Sequence, residues 1–172
     1  MGSVVGTSTA SLVDYSARFG KGLTLDGQSM LTPYVELGHH EWDRGVNNGE
    51  IYTHYYFGVG CLGQYSPANE LVLSGNALLG RTFNSNIVVN SGPGFSGFAG
   101  ALGDSVLYRV GVSADYAFTK QLHGSVGVDY SSFNYGMGPI TPVVINGVNS
   151  VAWEPDSKTK YTTFKIGIGI AF

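Results

Sequence analysis

Seven charged side chains share one parity within alternating stretches of the chain: the acids Asp14, Glu36, Asp115 and Asp129, and the bases Arg18, Arg109 and Lys165. On a common inward face of low dielectric, such a nearly balanced set neutralises itself in hydrogen-bonded pairs, because an unpaired buried charge costs several kcal/mol. The same residue types can also serve a proton or ion relay. The run His39-His40-Glu41-Trp42-Asp43-Arg44 has metal-ligating types, but adjacent strand residues point to opposite faces and H-E-x-x-H is not completed. A polar rim with Trp42 as an interfacial anchor fits that run better than a metal site. Acyl hydrolysis needs a serine beside one of these histidines in space, and no spacing supplies one. Gly58, Gly60 and Gly63 fit the dinucleotide fingerprint G-x-G-x-x-G, but Tyr65-Ser66-Pro67 follows where a helix must start. Steric relief within a strand explains these glycines. No catalytic, cofactor-binding or metal-binding residue is assigned, and the chain is read as a non-enzyme without a cofactor.

The elements that position these residues are strands. In the last fourteen residues Phe164, Ile166, Ile168, Ile170 and Phe172 alternate with Thr163, Lys165, Gly167, Gly169 and Ala171, a strict two-residue period. Bulky apolar groups on one face, with glycine, alanine and one lysine on the other, suit the wall of a narrow barrel with its small residues inward. Residues 12–19 alternate likewise, and Asp26-Gly27 turns the chain. The next strand, from about Met30 to Trp42, has Leu31, Pro33, Val35 and Leu37 outward and Tyr34, Glu36, Gly38, His40 and Trp42 inward. Residues 51–65 and 71–83 continue the pattern, joined by a short turn at 67–69. A glycine-rich stretch over 84–104 lacks a sustained period and is expected to be an exposed loop. A hairpin follows, 108–118 and 122–134, turned at Lys120-Gln121, with His123, Ser125, Gly127, Asp129 and Ser131 inward. A second long loop over 137–158, with three of the six prolines, leads to the final strand.

Composition supports that architecture. Charged residues are 12% of the 172, about half of the ~25% usual in soluble domains, while Gly 26, Tyr 11 and Phe 9 are abundant. No run reaches the ~18 consecutive apolar residues of a membrane-spanning helix, and mean hydropathy is +0.07. A barrel escapes that requirement because only alternate residues meet lipid. The net charge of −3 without a basic cluster offers no footprint for nucleic acid. Cys61, the single cysteine, is structural filler. Outward aromatics form two girdles, Tyr55, Tyr65, Tyr108, Tyr116, Phe118, Tyr130, Phe164 and Phe172, with Tyr55 and Tyr65, or Tyr108 and Phe118, ten residues apart. At about 3.3 Å per residue and a tilt near 40°, ten residues climb roughly 25 Å, the height of the apolar band of a transmembrane barrel.

The segments LTPYVELGHHEWDR and EPDSKTK, the alternation of short and long connections and the terminal aromatic resemble small bacterial outer-membrane β-barrel proteins of the OmpA-like and opacity-like kind. The resemblance covers residues 12–172. It implies an all-β, antiparallel up-and-down transmembrane barrel of about eight strands, seven of them clear in the sequence. Residues 1–11 are then an N-terminal segment or an abbreviated first strand. Met1-Gly2-Ser3 lacks the features of a signal peptide and reads as a start that replaces one. The resemblance further implies location in the bacterial outer membrane and partners in the lipid bilayer or detergent. It implies an extracellular ligand at the loops, and insertion machinery that reads Phe164, Ile168, Ile170 and Phe172. The expected function is a structural anchor displaying loops, its lumen plugged by the charge network. The alternatives are a small channel for polar solutes and a soluble lipocalin-like ligand-binding barrel.

Overall fold

The computed structural model describes residues 9–46 and 49–170. They form one curled antiparallel sheet with a small hairpin beside it, and no helix. Seven long strands make the sheet: β1 (Ala10–Gly20), β3 (Ser29–Arg44), β4 (Glu50–Ala68), β5 (Leu71–Val89), β7 (Val106–Ala117), β8 (Leu122–Tyr135) and β11 (Ser157–Ile170). They pair in that order, each antiparallel to the next. The short β2 (Leu23–Thr24) pairs with β3, and β6 (Phe98–Ala101) with the end of β5. β9 (Thr141–Ile145) and β10 (Val148–Ala152) form the separate hairpin.

Alternation decides which residues face the curve. On β3 and β4 Tyr34, Glu36, His40, Tyr52, His54 and Tyr56 are buried, while Val35, Leu37, Tyr55, Phe57 and Val59 are exposed. The buried set lines the concave face and the exposed set covers the convex one. Glycines make room for the inward rings: a Cβ at Gly60 would lie inside the ring of Tyr34, and one at Gly38 inside that of Tyr56. A Cβ at Gly58 would strike Leu78 at 2.8 Å, so Gly58 and Gly60 give the steric relief expected, whereas Gly63 does not, since a Cβ there meets nothing nearer than 3.9 Å. At the short-turn end Asp26 accepts the N–H of Gln28 at 2.8 Å, which closes the turn and holds its carboxyl below the usual carboxylate range.

Three expectations are corrected. Residues 84–104 are not an exposed loop, because β5 continues to Val89, Ile87 and Val89 are buried, and β6 pairs back onto it. A bulge hides this strand: Asn84 adopts φ 52°, the register shifts, and the inward parity moves from Thr82 to Ser85, Ile87 and Val89. Residues 137–158 contain the β9–β10 hairpin, turned by Asn146 (φ 51°) and Gly147 (φ 81°), an Asn-Gly pair with the left-handed angles of a tight hairpin turn. β1 begins at Ala10, so the first strand reaches two residues into the segment assigned to 1–11, of which 1–8 lie outside the described residues.

Seven strands running alternately up and down leave the first and last parallel to each other. Among the described residues β1 pairs only with β3, and β11 only with β8, so each presents one unpaired edge.

Candidate functional site

The concave face holds the charged residues, and its centre is Glu36. Its side chain is fully buried and takes the Tyr56 hydroxyl at 2.7 Å, Arg109 Nη1 at 2.8 Å and Arg18 Nε. Arg18 reaches it as its direct cross-strand partner on β1, with the guanidinium over the Tyr34 ring at 4.9 Å. Arg109 comes from β7, three strands further round than β3, and also meets Tyr56 Oη at 3.2 Å and Ser131 Oγ at 3.3 Å. A bond from β7 to β3 across β4 and β5 exists only because the sheet curls.

The remaining charges pair nearby. Asp14 bonds His40 Nδ1 at 2.8 Å across the β1–β3 register, and Asp115 bonds His123 Nδ1 at 3.0 Å across the hairpin. Lys165 on β11 donates to Asp129 on β8, which also takes Asn76 Nδ2 at 3.4 Å. The structure thus brings Arg18, Glu36 and Arg109 into one cluster and Asp129 and Lys165 into another. Asp14 and Asp115 are joined to histidines instead of to the bases.

Sequence reasoning left these histidines out of the network although their parity placed them inward. His40 and His54 stand directly opposite each other, rings stacked at 4.9 Å, with Phe133 edge-on to both. His54 Nδ1 meets Tyr135 Oη at 2.8 Å, and Nε2 of each histidine has no hydrogen-bond partner among the described residues. With Tyr52, Ile87 and Leu107 these rings fill the half of the concave face nearer the long connections, and Tyr34 joins the same core from the short-turn side of Glu36. Trp42, read as an interfacial anchor, packs inward on Tyr52 at 5.6 Å between ring centroids, as its parity requires. Among the described residues no cluster of three metal-ligating side chains occurs.

The convex face is apolar. Ile166 is 89% exposed, Phe164 and Ile168 82%, and Val112, Val126, Val59 and Leu79 more than half exposed. Tyr55, Tyr65, Tyr108, Tyr116 and Phe118 stand out on the same side, Tyr130 half-buried against Tyr108. Phe172 lies outside the described residues. A shallow apolar groove of about 880 Å³ follows the cross-strand row Leu31, Gly63, Gly75, Val112 and Val128, where the two glycines leave the face bare. A second, of about 350 Å³, separates the unpaired edges of β1 and β11 between Leu12, Trp42, Tyr52, Thr159 and Tyr161.

In comparisons with known proteins, no family profile and no curated protein sequence matches this chain.

Proposed function

We propose that this chain is a non-enzymatic membrane anchor, an outer-membrane β-barrel that holds its long connections outside the bilayer. One observation carries the reading: most charges of the strands turn inward and pair, while the convex face exposes a belt of Ile, Val, Leu and Phe. An exposed apolar area of that extent is unfavourable in water and matched in hydrocarbon, where a backbone is tolerated only as helix or closed sheet. Closure belongs to the proposal. Because β1 and β11 are parallel, an antiparallel barrel needs an odd number of further strands, and one gives eight. A strand that enters β1 through a hairpin runs in the required direction.

The Glu36–Arg109 cluster and the ring-filled half of the concave face support a plugged lumen over a channel, since an eight-stranded barrel is just wide enough for its side chains to fill. The displayed part includes the β9–β10 hairpin, whose exposed Ile140, Val148, Val151 and Trp153 offer an apolar surface to an extracellular ligand. The terminal strand, with Phe164, Ile168, Ile170 and Phe172, is the part offered to insertion machinery.

Reconstitution tests the reading. The purified chain should partition into liposomes, resist alkaline extraction and migrate faster on unheated than on heated gels. Planar-bilayer recordings should show no steady conductance. A chain that stays monodisperse without detergent refutes the membrane reading and favours a soluble ligand-binding barrel, and stable openings favour the channel.

A further inference from the structure

The nine lysines and arginines are distributed unevenly. Arg18, Arg44, Arg109 and Lys165 are ion-paired on the concave face. Lys21 and Lys120 sit in connections at the short-turn end. The remaining three, Arg81, Lys158 and Lys160, are exposed on the convex face, and none of them is in an ion pair among the described residues.

Register gathers these three in two neighbouring outward-facing rows of the sheet. Lys160 lies in the row Leu79, Tyr108, Ser132. Arg81, paired with Val106, and Lys158, paired with Asn134, stand one row further towards the long connections. Arg81 and Lys158 are three strands apart, about 14 Å at the usual inter-strand spacing, and Lys158 and Lys160 are about 7 Å apart along β11. Tyr108 stands in the row of Lys160, its ring partner Tyr130 one outward row nearer the short turns, and the apolar belt follows. The nearby carboxylates accept hydrogen bonds elsewhere, Asp104 from Ser85, Glu154 from Tyr52 and Asp156 from the N–H of Met137, and among the described residues none is ion-paired with the triad. The convex-face acids Glu41 and Asp43 lie on β3, and the Glu41 row crosses β4 four residues, about 13 Å, above the row of Arg81.

We infer that Arg81, Lys158 and Lys160 bind phosphate-bearing lipid headgroups of the leaflet on the long-connection side. The inference rests on the membrane reading above. Cations level with and just beyond a pair of outward tyrosines, with stems long enough to lie along apolar surface, meet the phosphates at the depth where lipid presents them. An unpaired triad about 14 Å wide matches more than one phosphate.

The test is native mass spectrometry and thermal unfolding of the whole chain in nanodiscs of phosphatidylcholine doped with phosphatidic acid. Each cation near an anionic surface is worth about fivefold, so the wild type should retain phosphatidic acid over phosphatidylcholine by on the order of a hundredfold. The preference should fall at molar salt and vanish in R81Q/K158Q/K160Q. K21Q/K120Q, at the opposite end, should keep it. Equal retention in wild type and triple variant overturns the inference, as does loss in the short-turn control. Inorganic phosphate that competes as well as the lipid assigns the triad to free phosphate and overturns the lipid commitment. A chain that enters nanodiscs without lipid preference refutes this inference alone, whereas one that does not enter them refutes the membrane reading too.

Discussion

Arg109→Ala should be among the most destabilising single changes on the concave face. The substitution removes the 2.8 Å bond to Glu36 and leaves that fully buried carboxylate with Tyr56 and Arg18. Breaking one side of a buried ion pair costs about 3–5 kcal/mol, most of it the penalty of the charge left behind. Arg18 still donates, but its side chain is 41% exposed and solvent screens it, so it offsets only part of the loss. The expected cost is therefore near the lower end, about 3 kcal/mol. Arg18→Ala, which leaves the Arg109 bond intact, should cost about 1 kcal/mol. In the double variant E36M/R109M no charge is stranded and the volume is roughly kept, so it should cost less than either Glu36→Ala or Arg109→Ala alone. Urea titration of the folded chain in detergent micelles, followed by tryptophan fluorescence and by mobility on unheated gels, measures all four. If Arg109→Ala costs under about 1 kcal/mol, or if the two changes simply add, then Glu36 is solvated and the cluster does not plug the sheet.

Val112→Arg should cost about 2–4 kcal/mol in bilayers or micelles, because a guanidinium there meets hydrocarbon. Gly169→Ser, on the opposite parity where a Cβ meets nothing within 4 Å, should stay within about 0.5 kcal/mol, and a reversed order refutes the assignment of faces. Gly60→Ala should cost about 1–3 kcal/mol by displacing the Tyr34 ring, with partial rescue by Tyr34→Leu, whereas Gly75→Ala should be nearly silent; equal midpoints for the two remove the steric account. Tyr135→Phe removes the hydroxyl that stands 2.8 Å from Nδ1 of fully buried His54, whose Nε2 has no partner among the described residues, and should cost about 1–3 kcal/mol in the same titration.

Which residues face inward was legible wherever the two-residue period runs unbroken. From Tyr34 to His40, from Arg109 to Asp115 and from Tyr161 to Gly169, parity alone separates the concave from the convex face. The period fails at Asn84, where one residue with positive φ moves Ser85, Ile87 and Val89 inward and makes the rest of β5 look like a loop. The β9–β10 hairpin did carry a local signal, Asn146-Gly147, but its strands are five residues each and lie in a stretch with three prolines.

Partners were less legible than faces, for a geometric reason. Parity places a side chain on a side, while the curl of the sheet decides what it meets there, and Glu36 and Arg109 are separated by 73 residues. Four acids against three bases leave one acid over if only permanently charged groups are counted. The fold resolves the imbalance by giving Glu36 two bases, Asp129 one, and Asp14 and Asp115 a histidine each. Histidine can serve both acids because an imidazole donates a hydrogen bond to a carboxylate in either protonation state. A balance drawn over every inward donor, with His40 and His123 included, closes where a balance drawn over charge alone does not. The same reasoning separates the two faces functionally: inward cations are paired within the fold, whereas among the strand cations described the outward Arg81, Lys158 and Lys160 are in no ion pair and can offer charge to a ligand.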